Sequence, residues 1–152
     1  MAHNRTAIRD ALLTLLSGMV TPVAVYAERR QRIDSTLRPL AIIALGDDAA
    51  DAGEMAMGAG VYEVEHVQTV TLELHAEAAD GETVCETIDQ MELEAETLLA
   101  SDLTLGGLAE IIYPIGSEIE TSTDQDRVIG VRSVTYSIPW RAAFGSPDTP
   151  ES

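Results

Sequence analysis

Two kinds of apolar spacing alternate along this chain, and they constrain its fold more than any other feature. In residues 4–16 and 82–100 the apolar side chains recur every three or four positions, which predicts two amphipathic helices, the first ended by Ser17-Gly18. In residues 62–78 and 128–140 apolar and polar side chains alternate, which predicts half-buried strands. Residues 62–78 are long for one strand, so this segment predicts a bend or a projecting β-hairpin.

Shorter apolar runs predict three more strands. Residues 23–26 and 108–113 are brief, and Pro114 limits the second of them. Residues 40–45 are apolar without interruption, which is typical of a strand covered on both faces. Residues 46–60 contain four glycines and show no periodicity, so we interpret them as a flexible loop or a hairpin tip.

The order helix, strands, helix, strands predicts an α+β domain. The economical packing is a mainly antiparallel sheet with two helices on one face. A chain of 152 residues is long enough for one domain with a buried core. We therefore assign residues 1–145 to a single domain and expect residues 146–152 to form a flexible C-terminal tail.

The charge of the chain is strongly negative and unevenly distributed. The chain has nine arginines, no lysine and 26 acids, which gives a net charge of −17. Residues 1–38 sum to +3 and residues 127–152 to +1, whereas residues 39–126 hold 21 acids and no basic residue. Such a middle segment needs compensation from counterions, a basic partner or the arginine-bearing ends.

This charge argues against two classes of partner. Nucleic-acid recognition requires basic surface that displaces counterions, and an anionic membrane would repel the chain in the same way. The chain also begins without a basic stretch leading into an apolar run, and no segment approaches the about 18 apolar residues of a membrane span. We expect no signal peptide, no membrane association and synthesis in a cytoplasm.

The second predicted helix is the best candidate for a charge-based function. Its outer side is anionic, and like charges four residues apart cost a few tenths of a kcal/mol per pair, so local stability does not favour them. We predict that this helix lines a lumen or an interface. The acids concerned are Glu82, Glu86, Asp89, Glu92 and Glu96.

No constellation of residues predicts catalysis, a metal or a cofactor. His66 and His75 are nine residues apart on one strand, so their side chains should point to opposite faces. Cys85 is the only cysteine, which excludes an intrachain disulfide, and we interpret it as a buried structural thiol. We therefore expect no catalytic residue, no metal, no cofactor and no enzyme activity.

Several segments, in order from residue 5 to about residue 145, together resemble the tail terminator family of siphophages and related gene-transfer particles. Individually these motifs are not specific, and their shared order carries the resemblance. The segments are residues 5–16; Val25-Tyr26, Arg29-Arg30 and Arg38-Pro39-Leu40-Ala41-Ile42-Ile43; Leu103-Thr104-Leu105-Gly106-Gly107-Leu108-Ala109; Gly116-Ser117-Glu118-Ile119-Glu120; Val128-Ile129-Gly130-Val131; and Tyr136-Ser137-Ile138-Pro139-Trp140-Arg141. Two departures stand out: Pro139-Trp140 replaces a tyrosine-containing strand ending, and residues 46–60 do not align.

The resemblance implies a structural virion protein in the tail, at its head-proximal end, assembled in the host cytoplasm. Such subunits form a homohexameric ring that caps the tail tube, stops its polymerisation and joins the tail to the neck of the capsid. The implied partners are other copies of the chain, the tail tube protein and a neck or head-completion protein, while genomic DNA passes through the lumen without specific binding. Under this reading Arg29, Arg30 and Arg32 are interface arginines that pair with acidic neighbours.

Two other functions fit the sequence. One is a neck or head-tail adaptor, a tail-completion protein, which would differ in not touching the last tube ring. The other is an acidic inhibitor that mimics DNA and binds a basic nucleic-acid enzyme. Acids spread along one surface without a ring interface would favour the inhibitor.

Overall fold

Both predicted helices form where the apolar spacing placed them. The computed structural model describes residues 4–27, 38–52, 63–124 and 126–143. Helix α1 spans Asn4–Leu16 and helix α2 spans Gly81–Ser101. The N-cap of α2 is Asp80, whose carboxylate accepts a hydrogen bond from the Thr83 backbone N–H at 2.7 Å. This bond gives a partner to one of the N–H groups that the first turn of a helix leaves unpaired.

Five strands form one sheet. They are β1 (Ala24–Ala27), β2 (Leu40–Ala52), β3 (Glu63–Ala78), β4 (Tyr113–Asp124) and β5 (Arg127–Ala143). Their spatial order is β1-β2-β3-β5-β4, with β1 parallel to β2 and every other neighbouring pair antiparallel. The predicted α+β class with a mainly antiparallel sheet is confirmed.

The two helices cover one face of the sheet, and the core lies between. The apolar residues Val70, Leu72 and Leu74 of β3 share this face with Val134 and Tyr136 of β5, as the predicted alternation requires. Helix α1 contributes Ile8, Leu12 and Leu16 to the core, and α2 contributes Val84, Ile88, Met91, Ala95 and Leu99. None of the helices in the described residues is both long and apolar enough to span a bilayer.

One contact between α2 and the sheet depends on a glycine. Gly130 of β5 is buried beneath the helix, and a Cβ atom at this position would lie 2.4 Å from Cγ1 of Val84 and 3.1 Å from Cδ1 of Ile88. The first distance is shorter than packed carbon atoms permit. Helix α2 therefore approaches the sheet this closely because residue 130 has no side chain.

The prediction of a flexible loop or a hairpin tip over residues 46–60 was wrong for residues 46–52, which belong to β2, whereas residues 53–60 lie outside the described residues. Strand β2 continues to Ala52 and pairs with β3 as far as Val64, so the two strands form the arms of a β-hairpin whose tip lies outside the described residues. A register shift between Leu45 and Asp48 marks the start of the unpredicted part. Gln68 donates a side-chain hydrogen bond to the Gly46 carbonyl at 2.8 Å, so a cross-strand contact supports backbone that local composition does not.

The strand predicted over residues 108–113 was also wrong. Residues 103–112 form an irregular connection in which Leu105, Gly106 and Gly107 have φ angles of 50°, 69° and 95°. Strand β4 begins at Tyr113, contains Pro114 and has a register shift before Gly116. A proline is tolerated there because β4 is an edge strand and because the register shift is a β-bulge, where the backbone pairing is interrupted and the N–H that proline lacks is not needed.

Two further sequence interpretations are resolved by the register. Strand β5 keeps pairing through Pro139 and Trp140, which lie opposite Val67 and His66. The departure at Pro139-Trp140 therefore does not end the strand. Residues 121–124, whose polar side chains are typical of a turn, instead belong to β4, and Asp124 pairs with Arg127.

Candidate functional site: the acidic flank of the second helix

The five acids singled out in the sequence lie along one flank of α2. Glu82, Glu86, Asp89, Glu92 and Glu96 are here called the acidic flank. All are exposed except Glu92, which is half-buried at the edge of the packed face. At 100° per residue these five positions fall on one side of the helix, between its buried stripe and its solvent side.

One arginine partly neutralises this flank. The Nη1 atom of Arg132, on β5, donates to Oδ1 of Asp89 at 2.8 Å and to Oε2 of Glu92 at 2.6 Å. Burial lowers the pKa of Arg132, but the hydrogen bonds from Glu92 and Asp89 outweigh it, and the net shift of the pKa is upward. Arg132 therefore stays charged and fixes two carboxylates of the flank.

The other three carboxylates of the flank have no such partner. Across the described residues, no basic side chain lies within ion-pair distance of Glu82, Glu86 or Glu96. Burial, and then the charges of Glu96 and Glu92, raise the pKa of the nearby Tyr136 to about 12. Among the described residues, Glu82, Glu86 and Glu96 therefore form the part of the flank whose negative charge no basic side chain neutralises.

Glu94 has a different role from its neighbours. Its Oε1 atom accepts hydrogen bonds from the Val20 and Thr21 backbone N–H groups, both at 2.9 Å, and its other oxygen accepts from the Thr21 hydroxyl. Burial raises the pKa of Glu94, but the hydrogen bonds from Thr21, Gln90 and Val20 lower it, and the net shift is downward. Glu94 thus ties α2 to the segment after α1, which the charge pattern alone did not reveal.

These contacts orient the acidic flank. The side of α2 that carries Glu94 faces the end of α1, while α1 itself packs over β1 and β2. The opposite side of α2, held by Arg132, therefore faces β4. Neither of the two described helices covers β4, and residues 113–123 are all exposed. The acidic flank and β4 consequently lie on the same side of the molecule.

Three of the arginines that flank the acidic middle segment in the sequence pair with its acids within the chain. Besides Arg132, Arg38 Nη1 and Arg127 Nε each lie 3.5 Å from a carboxylate oxygen of Glu77, which is almost fully buried. The interface arginines named in the sequence, Arg29, Arg30 and Arg32, lie outside the described residues, and their assignment stays a prediction.

The remaining candidate groups are dispersed. Cys85 is exposed, so its interpretation as a buried thiol was wrong: it sits on the solvent side of α2 rather than on the buried stripe.

The two histidines of β3 lie in different surroundings. His66 stacks on Trp140 with ring centroids 3.9 Å apart. His75 points to the other sheet face, as predicted, and its Nε2 lies 3.1 Å from Glu73. Burial lowers the pKa of His75, against the opposing effect of Glu73. Nowhere in the described residues do three His, Cys, Asp or Glu side chains converge as a metal site would require.

Two cavities among the described residues are small or shallow. An enclosed apolar space of about 10 Å³ lies between α1, α2 and the sheet, lined by residues such as Leu12, Leu72 and Tyr136. An open groove of about 280 Å³ runs along α2 beside Gly18, lined by Leu93, Glu94 and Leu98. The first space is about the size of one water molecule and the second is a surface groove, so the surfaces of the protein are its main candidate features.

Comparison with known proteins identifies no family. No family model matches the chain. No curated protein matches it either. Among solved structures, a chain of a virion of a native gene transfer agent (GTA) particle is similar at 13% identity, covering 90% of this chain and 92% of that chain, with a TM-score of 0.32. A likeness of this size carries no argument about function.

Proposed function

We propose that this protein is a structural virion protein, a ring-forming tail terminator without enzymatic activity or cofactor. The observation that carries the proposal is the acidic flank, in which Glu82, Glu86 and Glu96 have no basic partner among the described residues, on a helix anchored by Arg132 and Glu94. It is supported by the resemblance of the sequence segments given above. The proposed ring is a homohexamer at the head-proximal end of the tail.

The proposed mechanism is steric and electrostatic. One face of the ring copies the subunit contact of the tail tube and binds its last ring, while the other face cannot accept another tube ring and meets the neck. Glu82, Glu86 and Glu96 line the lumen, where their charge repels the DNA phosphates and keeps the passing genome from sticking. A protein with this role requires no pocket and no catalytic group.

Electron microscopy of the purified protein, alone and mixed with tail tubes of its own particle, tests the proposal. The expected result is a population of rings with sixfold symmetry and rings bound at one end of each tube. Tubes capped in this way should stop growing when further tube protein is added. A preparation that stays monomeric at every concentration and never binds tube ends would contradict the proposal.

The acidic inhibitor is the second candidate, because Glu82, Glu86 and Glu96 present carboxylates in succession along one helix. The inhibitor and the tail terminator differ in the partner that they bind and in whether they assemble into a ring. An inhibitor would stay monomeric and bind a nuclease or polymerase through the acidic flank, in competition with DNA. The adaptor alternative would form a ring but would bind the neck without binding tube ends.

A further inference from the structure

Strand β4 forms an edge of the sheet that no described strand covers. It spans 12 residues and pairs with β5 on one side only, so its other side has no strand partner among the described residues. Residues 113–123 are all exposed. The register with β5 runs without a shift from Gly116 to Asp124. A regular edge of this length is a template for pairing with an extended segment of another chain.

The two faces of this edge differ in chemistry. Ile119 lies opposite Arg132, whose side chain reaches α2, so Ile119 points to the helix face of the sheet. It is 46% exposed, and a serine and a threonine flank it on the same face. Glu118 and Glu120 alternate with these residues and point to the face away from α2. A strand added to this edge would therefore meet an apolar and hydroxyl row on one face and a carboxylate row on the other.

The two carboxylates of this edge have no cation beside them in the part of the chain that the structure describes. No basic side chain there lies within ion-pair distance of Glu118 or Glu120. The residues opposite them on β5 are Ser133 and Val131, which are uncharged. Opposite charges on neighbouring strands attract across one face of a sheet. Basic side chains at every second position of an added strand would therefore complement this face of β4.

A second copy of this chain fits the edge poorly. Pairing β4 with β4 of another copy would bring Glu118 and Glu120 close to the same acids, and such a two-fold joint closes after two subunits instead of continuing into a ring. Strand β1, at the other end of the strand order, has four residues and no charged side chain, so it would cover only four positions of β4 and supply no cation. The chain as a whole has no lysine and a net charge of −17. Charge therefore favours a basic segment of a different protein.

We infer that β4 docks an extended segment of a different protein, in which basic side chains alternate with apolar ones. The basic side chains face Glu118 and Glu120, the apolar ones face Ile119, and a segment that covers residues 117–123 extends over about 23 Å. The inference rests on the proposed function in one respect, which is that the docked protein belongs to the same particle. The pairing uses no acid of the acidic flank, which stays available to the proposed lumen.

Binding of a synthetic peptide to the full chain tests the inference. The probe is a peptide of about nine residues in which valine and lysine alternate, as an added strand requires. One control peptide has glutamate in place of lysine, and another has the same composition with its lysines in one block. Titration calorimetry should show that the alternating peptide binds at least about tenfold more tightly than either control. Amide hydrogen exchange within residues 117–123 should slow when the peptide is bound. Equal binding of the alternating and block peptides would show charge attraction without strand pairing and overturn the inference.

Paired substitutions locate the carboxylate contact. Glu118→Gln with Glu120→Gln should weaken binding of the alternating peptide at least about threefold, because both acidic partners of its lysines are removed. The matched control is Glu86→Gln with Glu96→Gln, which removes the same charge from α2 and should leave the affinity within about twofold. If the acids of β4 served only to keep other strands away from the edge, their neutralisation would strengthen binding, and that result would overturn the inference.

One further substitution examines the apolar face of the edge. Ile119→Lys should weaken binding of the alternating peptide at least about tenfold while leaving the circular dichroism spectrum unchanged, because a charge then faces the valines of the added strand. The matched control is Leu93→Lys, which also gives an exposed apolar position a positive charge but lies on α2. Equal loss of binding in the two variants would contradict docking at β4.

Ring formation in the same samples separates this inference from the proposed function. Because β4 is not the joint between subunits under this inference, rings should form equally with and without saturating alternating peptide. Loss of rings on addition of that peptide would show that β4 holds a second copy, and would overturn the inference. Rings without selective peptide binding would overturn the inference and leave the ring proposal intact. Selective peptide binding without rings from the unmodified chain would support the docking edge and overturn the ring proposal.

Discussion

At the scale of single residues, a small number of positions determine how closely the helix layer approaches the sheet. Gly130 lies under α2 where a Cβ would collide with Val84, whereas Gly116 on β4 has nothing within 4 Å of an added Cβ. Both are strand glycines, and neither has a positive φ angle. The difference between them is therefore one of space and not of backbone conformation.

Gly130→Ala should lower the free energy of unfolding by about 1–3 kcal/mol, because α2 or the strand must move to make room in a packed core. Gly116→Ala is the matched control and should change it by no more than about 0.5 kcal/mol, apart from the stiffening of the unfolded chain. Urea unfolding of both variants measures the difference. If the two substitutions had equal effects, the close packing of α2 on Gly130 would be refuted.

At the scale of elements, local pattern and long-range pairing explain which parts of the fold the sequence predicted. Both helices could be predicted because the side chains at spacings of three and four residues define a buried stripe within one segment. Residues 46–52 could not, because their glycine and aspartates disfavour a strand locally and only the partner β3 makes them one. Strand β4 was misplaced for a similar reason: its Pro114 looks like a strand end, yet an edge strand tolerates it.

The contact between Glu94 and the segment after α1 is an element-scale feature with a defined pH dependence. The pKa of Glu94 is lowered in the folded state, so its carboxylate stabilises the fold above its unfolded pKa of about 4.5. That contribution disappears as the pH falls through the still lower folded value. We expect Glu94→Gln to be less stable than the unmodified chain at pH 7, and the difference to shrink as the pH falls below about 4.5. Urea unfolding at pH 7 and at pH 3.5 measures it, and a difference that is constant over this range would contradict the assigned hydrogen bonds.

At the scale of the whole molecule, the sequence predicted the acidic surface but not which of its acids form ion pairs within the chain. The amino-acid sequence shows directly that residues 39–126 contain no basic residue, and its helical spacing predicts the anionic side of α2. The pairing of Arg132 with Asp89 and Glu92 depends on which residue of β5 lies beneath the helix, so it required the sheet register. In the part of the chain that the structure describes, Glu82, Glu86 and Glu96 are the acids of the flank without a basic partner, and this division determines which substitutions are informative.

Neutralising Glu86 and Glu96 separates a role in the lumen from a role in assembly. Neither residue binds Arg132, so Glu86→Gln with Glu96→Gln should leave the fold and ring formation unchanged. Under the proposed function, genome passage should slow, because DNA phosphates are then repelled less from the wall of the proposed lumen. The matched control is Asp10→Asn with Asp126→Asn, which removes the same charge from exposed acids outside α2 and β4. Infectivity or DNA-transfer counts, together with electron microscopy of rings, give both readouts. Loss of rings in the first pair alone would place Glu86 and Glu96 at a subunit interface, and unchanged rings with unchanged transfer would remove the acidic flank from the mechanism of genome passage.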